Sequence, residues 1–271
     1  MESVSTIKRW IKWGLWLLLG LVVLLVVSNW LAHTYRYRDK DPNRGSMTMP
    51  QPDAMGDRFN KVVYLEQGWK PEQSLWFYNT SQGSDLIPYD FFLALEQEKS
   101  GKRFADHDNM NAYRYLPQKP TSSNPDGLPV GFVRDNYKGK NYVGLTCAAC
   151  HTGQVNYQGT AIRVDGAPAA ADMESFITDL GKALSATQQD KDKLQRFIQT
   201  VLAKGDYRSA NEVTTDLDAF TLRLRVAVKA CASGLPLTFV LRKATVAPSL
   251  ASPNQAKKNA GRFSTHSATT S

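Results

Sequence analysis

No aspartate or glutamate follows Asp218 in this chain of 271 residues, cysteine occurs only three times, and histidine only four. Each shortage excludes something. Cys147, Cys150 and Cys231 are too few for a disulfide framework, and Cys231 has no evident partner. A zinc site would need a second Cys/His pair at ligand spacing beside Cys147 and Cys150, and only Cys231 and three scattered histidines remain to supply one. The missing acids also explain the formal charge of +8: eight Lys and Arg lie after Asp218, while the 25 basic groups before it balance the 25 acidic ones. That excess is smeared along a weakly patterned tail instead of being displayed on a folded module, which argues against a nucleic-acid partner.

What is present is Cys147-Ala148-Ala149-Cys150-His151, a C-x-x-C-H run. Two thiols three positions apart, followed at once by an imidazole, suit covalent attachment of haem c. The thiols add to the two vinyl groups, and the adjacent His151 becomes the proximal iron ligand. A thioredoxin-like redox pair would sit on the strand-to-helix turn of a βαβ pattern, and the sequence around residue 147 does not read that way. One covalent haem, held by Cys147, Cys150 and His151, is the expectation.

Residues 13–32 carry no charge and are dominated by Leu and Val, long enough as a helix to cross a bilayer core. Trp10, Trp13, Trp16 and Trp30 cluster near the ends, where amphipathic rings favour the headgroup region. The exit, Ser28 to His33, lacks the small residues of a cleavage site, so an uncleaved anchor is expected. Basic residues flank both sides and do not orient it. Haem attachment to C-x-x-C-H takes place outside the bacterial inner membrane, which puts residues 1–12 in the cytoplasm and the chain after residue 33 in the periplasm. The lipid bilayer is therefore one expected partner and an unidentified redox protein the other.

Residues 33–56, with Pro42, Pro50 and Pro52, read as a tether; Met47, Met49 and Met55 there lack the Cys or His that copper capture would want. Residues 57–205 have the composition of a folded domain. Pro71 and Pro88 suggest helices at 72–79 and 89–97, and Trp69, Trp76, Phe77, Tyr78, Tyr89, Phe91 and Phe92 offer either an apolar wall for a cofactor or simply core. Recurrent proline with Asp126 and Gly127 makes 117–131 a loop. Gln158 and Gly159 turn a small hairpin, Asp165 and Gly166 turn the chain again, and Pro168 starts a helix with Met173, Phe176, Ile177, Leu180 and Leu184 on one face. Further helices are expected at 191–204, ended by Gly205, and around Val213 to Leu224. Residues 206–271 read as a degraded or truncated helical segment and a disordered basic tail.

Several separated motifs carry a family resemblance: Gln67 to Trp69, Trp76 to Ser84, Asn124 to Phe132 and Gly144 to Gly153. Together they resemble the amino-terminal haem region of the dihaem cytochrome c peroxidase-like family, whose relatives include the bacterial rubber oxygenases. The resemblance covers roughly residues 57–205. It implies a mainly α fold, with a cytochrome c-like haem domain behind the single transmembrane helix. Members of that family carry a second C-x-x-C-H in a carboxy-terminal domain, and this chain has none.

The sixth iron position stays open. Met173 is one candidate, although its helical spacing with Phe176 and Ile177 favours packing; His107 and Met110, on a segment expected to be irregular, are others. A bound Met or His would favour outer-sphere electron transfer, and an open site would permit peroxide or dioxygen chemistry. Two functions follow: a membrane-anchored electron carrier, or the amino-terminal half of a peroxidase-like or oxygenase-like enzyme.

Overall fold

The structure, a computed structural model, describes residues 2–52 and 55–232, with side chains for 9–52 and 55–229. The basic tail from residue 233 and the Cys231 side chain lie outside the described residues. The chain divides into two units, the first comprising Met1–Leu86, Ala105–Tyr137 and Tyr142–Asp172, the second Ile87–Phe104, Lys138–Asn141 and the chain from Met173. About 47% of the described residues are helix and 16% strand. Helix thus outweighs strand, as expected, but the fold is not purely α, because strands organise much of the first unit.

The first unit begins with α1 (Glu2–Arg36), an uninterrupted helix whose 9–36 stretch is exposed and contains an 18-residue window of mean hydropathy 2.4. It is long and apolar enough to cross a membrane. After it the chain does not hang free. Within the stretch expected to be a tether, Arg44 and Ser46 are buried, and Met49 packs with Phe59 and Ala161 in a small apolar cluster. Asp39 accepts from the backbone N–H groups of Ser122 and Ser123, at 2.9 and 3.0 Å, which docks the stretch against the 117–131 loop.

The strands β1 (Lys61–Tyr64), β5 (Thr152–Tyr157) and β6 (Thr160–Asp165) form one sheet in the order β1-β6-β5, with β1 parallel and β5 antiparallel to β6. Gln158 and Gly159, at φ 47° and 75°, make the tight turn between β5 and β6. The sheet is inverted relative to the usual pattern of apolar residues inside. Its buried face carries Thr152, Arg163 and Asp165, with Arg163 fully buried, while Val155 and Tyr157 on the other face are 62% and 63% exposed. The hairpin expected around Gln158 and Gly159 is present as β5 and β6.

Helix α2 (Pro71–Asn79) starts on Pro71 as expected and lays Leu75 and Tyr78 into a core cluster with Val130 and Ala148. The short α4 (His107–Ala112) replaces the irregular segment expected there. Strands β3 (Phe132–Tyr137) and β4 (Lys140–Leu145) are neighbours joined through Lys138 and Gly139, both with positive φ. The one-turn helix α5 (Cys147–Cys150) follows β4 directly.

The second unit is built on aromatic packing. β2 (Ile87–Pro88) leads into α3 (Tyr89–Ala94), every residue of which is buried. Phe91 meets Phe197 and Tyr207 at ring distances of 5.0 and 5.2 Å, and Phe92 meets Phe104 and Phe176 at 6.2 and 6.5 Å. Each such ring contributes about 1.5–3 kcal/mol by burial alone. The helix stops at Ala94, short of the expected Gln97, because the chain turns into a narrow loop: Phe104 N–H donates to Leu95 O, and Gln97 N–H to Lys102 O.

Helix α6 (Met173–Gln189) begins later than Pro168, and its buried stripe of Phe176, Ile177, Leu180 and Leu184 is the one expected. Helix α7 (Lys191–Lys204) has the expected bounds, capped by the Asp190 carboxylate at its start and by left-handed Gly205 (φ 96°) at its end. Helix α8 (Ala210–Ala232) buries Val213, Leu217 and Leu224.

Candidate functional site

The C-x-x-C-H run forms α5 and its C-terminal cap. Thr146 caps the turn, its Oγ1 accepting from the Ala148 N–H at 3.1 Å while donating to the carbonyl of Tyr78 at 3.2 Å. The His151 N–H closes the turn by donating to the Cys147 carbonyl at 2.8 Å. One turn of helix then sorts the five residues by face: Ala148 and Ala149 are buried, and Cys147, Cys150 and His151 are exposed. Both thiols are free.

The buried face of α5 admits nothing larger than it has. A Cβ on Gly131, which holds φ +83°, would lie 2.1 Å from the Ala149 nitrogen, so the chain at Gly131 runs directly against the helix backbone. Thr146 N–H donates to Gly131 O at 2.8 Å in the same contact. Behind α5 the segment after β6 returns, with Gly166 N–H donating to His151 O at 2.8 Å and Ala169 N–H to Cys150 O at 2.9 Å. Two of the carbonyls that a one-turn helix leaves open, those of Cys150 and His151, are thus taken by backbone. This also explains the late start of α6: residues 166–172 are committed to holding α5 and, through Asp172 N–H, to the Tyr113 carbonyl.

Tyr115 lies beside the same turn, buried and edge-on to Phe132 at 4.7 Å. Burial, followed by the proximity of Cys150 and Asp172, pushes its phenol well above the ordinary value and keeps it neutral. Deeper in the unit, Asp165 accepts from Ser74 Oγ at 2.6 Å, from Tyr78 OH in a short bond, and from Arg44 Nη1 at 3.2 Å. Gln67 braces the backbone of Asp165 through both its N–H and its carbonyl. Burial first, then the neighbouring Tyr64 and Asp165, raises the Tyr78 phenol far above its ordinary value, so it serves as a donor. This network ties α2, which packs on Ala148, to the end of β6.

The remaining candidates separate. Met110 is fully buried on α4, so it is core, and His107 is half-buried at the start of that helix. Met173 is half-buried at the first position of α6, in the second unit. Of the aromatic residues expected to wall a cofactor, Tyr89, Phe91 and Phe92 are core of the second unit, while Trp69, Phe77 and Tyr78 sit together in the first, with Trp69 and Phe77 rings 5.5 Å apart. Phe77 packs on the cluster that includes Ala148. Among the described residues no three His, Cys, Asp or Glu side chains converge into a ligand sphere.

Sequence reasoning missed Gly131, Tyr115, Arg163 and Asp165. Thr146 was the one residue with a readable signal, a hydroxyl placed immediately before a short helix.

The chain is 34% identical over 167 residues to an uncharacterized protein, y4iJ, of Sinorhizobium fredii, a match that takes in 54% of this chain and 27% of that protein. It thus spans about a quarter of the length of the curated relative it matches. No family profile matches the chain, and no solved structure matches it.

Proposed function

We propose that this chain is a membrane-anchored c-type cytochrome, binding one covalent haem through Cys147, Cys150 and His151 and passing electrons to or from a redox partner. The observation that carries the reading is the sorting of α5: the two thiols and the imidazole share the exposed side of one turn, while the residues between them are small and locked against Gly131 and Leu75. The donor set fits the group. Each thiol can add across one vinyl double bond, forming an S–C bond while its hydrogen goes to the neighbouring vinyl carbon, so nothing leaves and no oxidant is needed. When bound, haem supplies a one-electron iron couple. The chain's own part is to hold the two sulfurs and the imidazole on a turn pinned by backbone hydrogen bonds to Gly131, Gly166 and Ala169, so that little orientation is lost on attachment. Helix α1 supports a bilayer anchor, with the units after it in the periplasm of a bacterial inner membrane.

A second reading rests on the resemblance of the Gln67, Trp76, Asn124 and Gly144 motifs to the dihaem cytochrome c peroxidase-like family. In it, the same site is one part of a peroxidase-like or oxygenase-like haem oxidoreductase.

Expression with the haem-attachment apparatus tests the first claim. The full chain should retain a haem stain on a denaturing gel, and the Cys147→Ala, Cys150→Ala double variant should lose it; haem that washes out of the wild-type chain overturns the proposal. The iron spectrum then divides the two readings. Ferrous protein that binds carbon monoxide readily favours the enzyme portion, and a low-spin spectrum indifferent to it favours the carrier.

A further inference from the structure

Helix α1 and the first folded segment are joined without slack. The Tyr37 N–H donates to the His33 carbonyl at 3.0 Å, which carries the helical backbone one residue past Arg36. The next side chain is already docked: Arg38 Nε donates to Ser123 Oγ and its Nη2 to the Ser122 carbonyl, both at 3.1 Å, and Asp39 accepts from the same loop. Helix α2 reaches this junction too. The Trp76 ring lies 6.2 Å from that of Tyr37, and the Arg36 guanidinium stands 5.1 Å from the Trp76 centroid. Trp76 nevertheless remains 40% exposed, and Tyr35, with the Arg38 guanidinium 5.4 Å from its ring, is 75% exposed.

The helix sets the depth of that junction. The uncharged residues 13–32 make about 30 Å of helix at about 1.5 Å per residue, the thickness of a bilayer's hydrocarbon core. Arg36 stands four residues beyond Ala32, hence about 6 Å further out, within a headgroup layer about 5–7 Å deep on each face. Trp76, held on Arg36 and Tyr37, is carried into the same layer, where an amphipathic ring is favoured and an arginine meets lipid phosphate. We infer that Trp76 is a lipid-headgroup contact outside the membrane-spanning helix, and that with Tyr35, Arg36 and Tyr37 it seats the first unit on the surface of the bilayer that α1 crosses. This rests on the reading of α1 as a bilayer anchor. It gives α2 two partners: Trp76 meets lipid, while Leu75 and Tyr78 pack with Ala148 of the C-x-x-C-H turn. The turn is thus held one helix away from the membrane surface and does not swing on a tether.

The test uses the full chain, free of haem, in phospholipid nanodiscs, because a haem would itself quench tryptophan. Of the six tryptophans, Trp30 lies near the same end of α1 and serves as the ruler. Subtracting the emission of Trp30→Phe and of Trp76→Phe from that of the wild type isolates the two rings, and each difference is measured with and without phosphatidylcholine carrying a nitroxide on its headgroup. The labelled lipid should quench both differences, Trp76 by at least as large a factor as Trp30. A Trp76 difference quenched less than that of Trp30, or not at all, puts the first unit clear of the headgroups and overturns the inference while leaving the anchor standing. Quenching of neither ring overturns both, since α1 would then lie outside the bilayer. Should Trp76→Phe fail to fold, Trp76→Tyr allows the same subtraction and keeps an amphipathic ring beside Arg36. Because no haem is needed, a chain that never stains for haem would sink the proposed function and leave the Trp76 contact to be decided separately.

Discussion

Gly131 and Ala149 meet backbone to backbone, with 2.1 Å separating the Ala149 nitrogen from the place where a Gly131 Cβ would stand. Neither side can move away, since the Gly131 carbonyl also accepts from Thr146 N–H and the far side of α5 is pinned by residues 166–169. Gly131→Ala should cost about 3 kcal/mol or more, combining overpacking with a positive φ that alanine resists. Urea unfolding followed by tryptophan fluorescence measures it. A cost under 1 kcal/mol would show that the turn has slack.

Asp165 should be far less replaceable than its place near the end of a six-residue strand suggests. Asp165→Ala leaves Arg44 as an unpaired buried cation and strips Tyr78 and Ser74 of their acceptor, for a loss of about 3–5 kcal/mol. Tyr78→Phe removes one bond and leaves the carboxylate with the others, costing about 1–3 kcal/mol. Denaturant titration of both variants should show this order, and its reversal would mean that the network is not centred on the carboxylate.

Asp85 sets a pH dependence of known sign. Burial, and after it the charge of Asp135, raises its folded-state pKa above the ordinary value of 3.8, so the folded chain binds the proton more tightly than the unfolded one. Its contribution to stability is greatest below the unfolded value and is lost as pH rises through the folded one. Asp85→Asn should therefore stabilise the protein at neutral pH, by under about 1 kcal/mol once solvent screening is allowed for, and the gain should vanish below about pH 4. A gain that persists at low pH would put its origin elsewhere.

Orientation of α1 is testable apart from any cofactor. A reporter active only in the periplasm, fused after residue 56, should be active, and loss of activity would put the two units in the cytoplasm and remove the compartment in which haem attachment is expected.

The helices of the second unit were legible because each is amphipathic and punctuated: Asp190 and Gly205 bracket α7, and Phe176, Ile177, Leu180 and Leu184 repeat at helical spacing. The first unit was less so. β1, at Lys61–Tyr64, is short and pairs in parallel with a strand about a hundred residues away, so nothing local marks it. β6 alternates clearly, and the rule that polar residues face water assigns Arg163 and Asp165 to the wrong side, because a network drawn from residues 44, 67, 74, 78, 117 and 154 makes burial tolerable there. The attachment motif was visible in five letters. What supports it was not, since Gly131, Tyr115 and the 166–172 segment reach it only through the fold.

The segment that closes the α5 turn has a consequence in time as well as in space. A chain emerging amino-terminus first exposes Cys147 and Cys150 before Gly166 and Ala169 exist to grip the carbonyls of His151 and Cys150. During that interval the two thiols lie on backbone that lacks those two hydrogen bonds; once residue 169 has followed, both can form. On the proposed haem reading, attachment and folding would be ordered by the direction of export, and a pause in translocation between residues 151 and 166 would lengthen the window in which the cysteines can be modified.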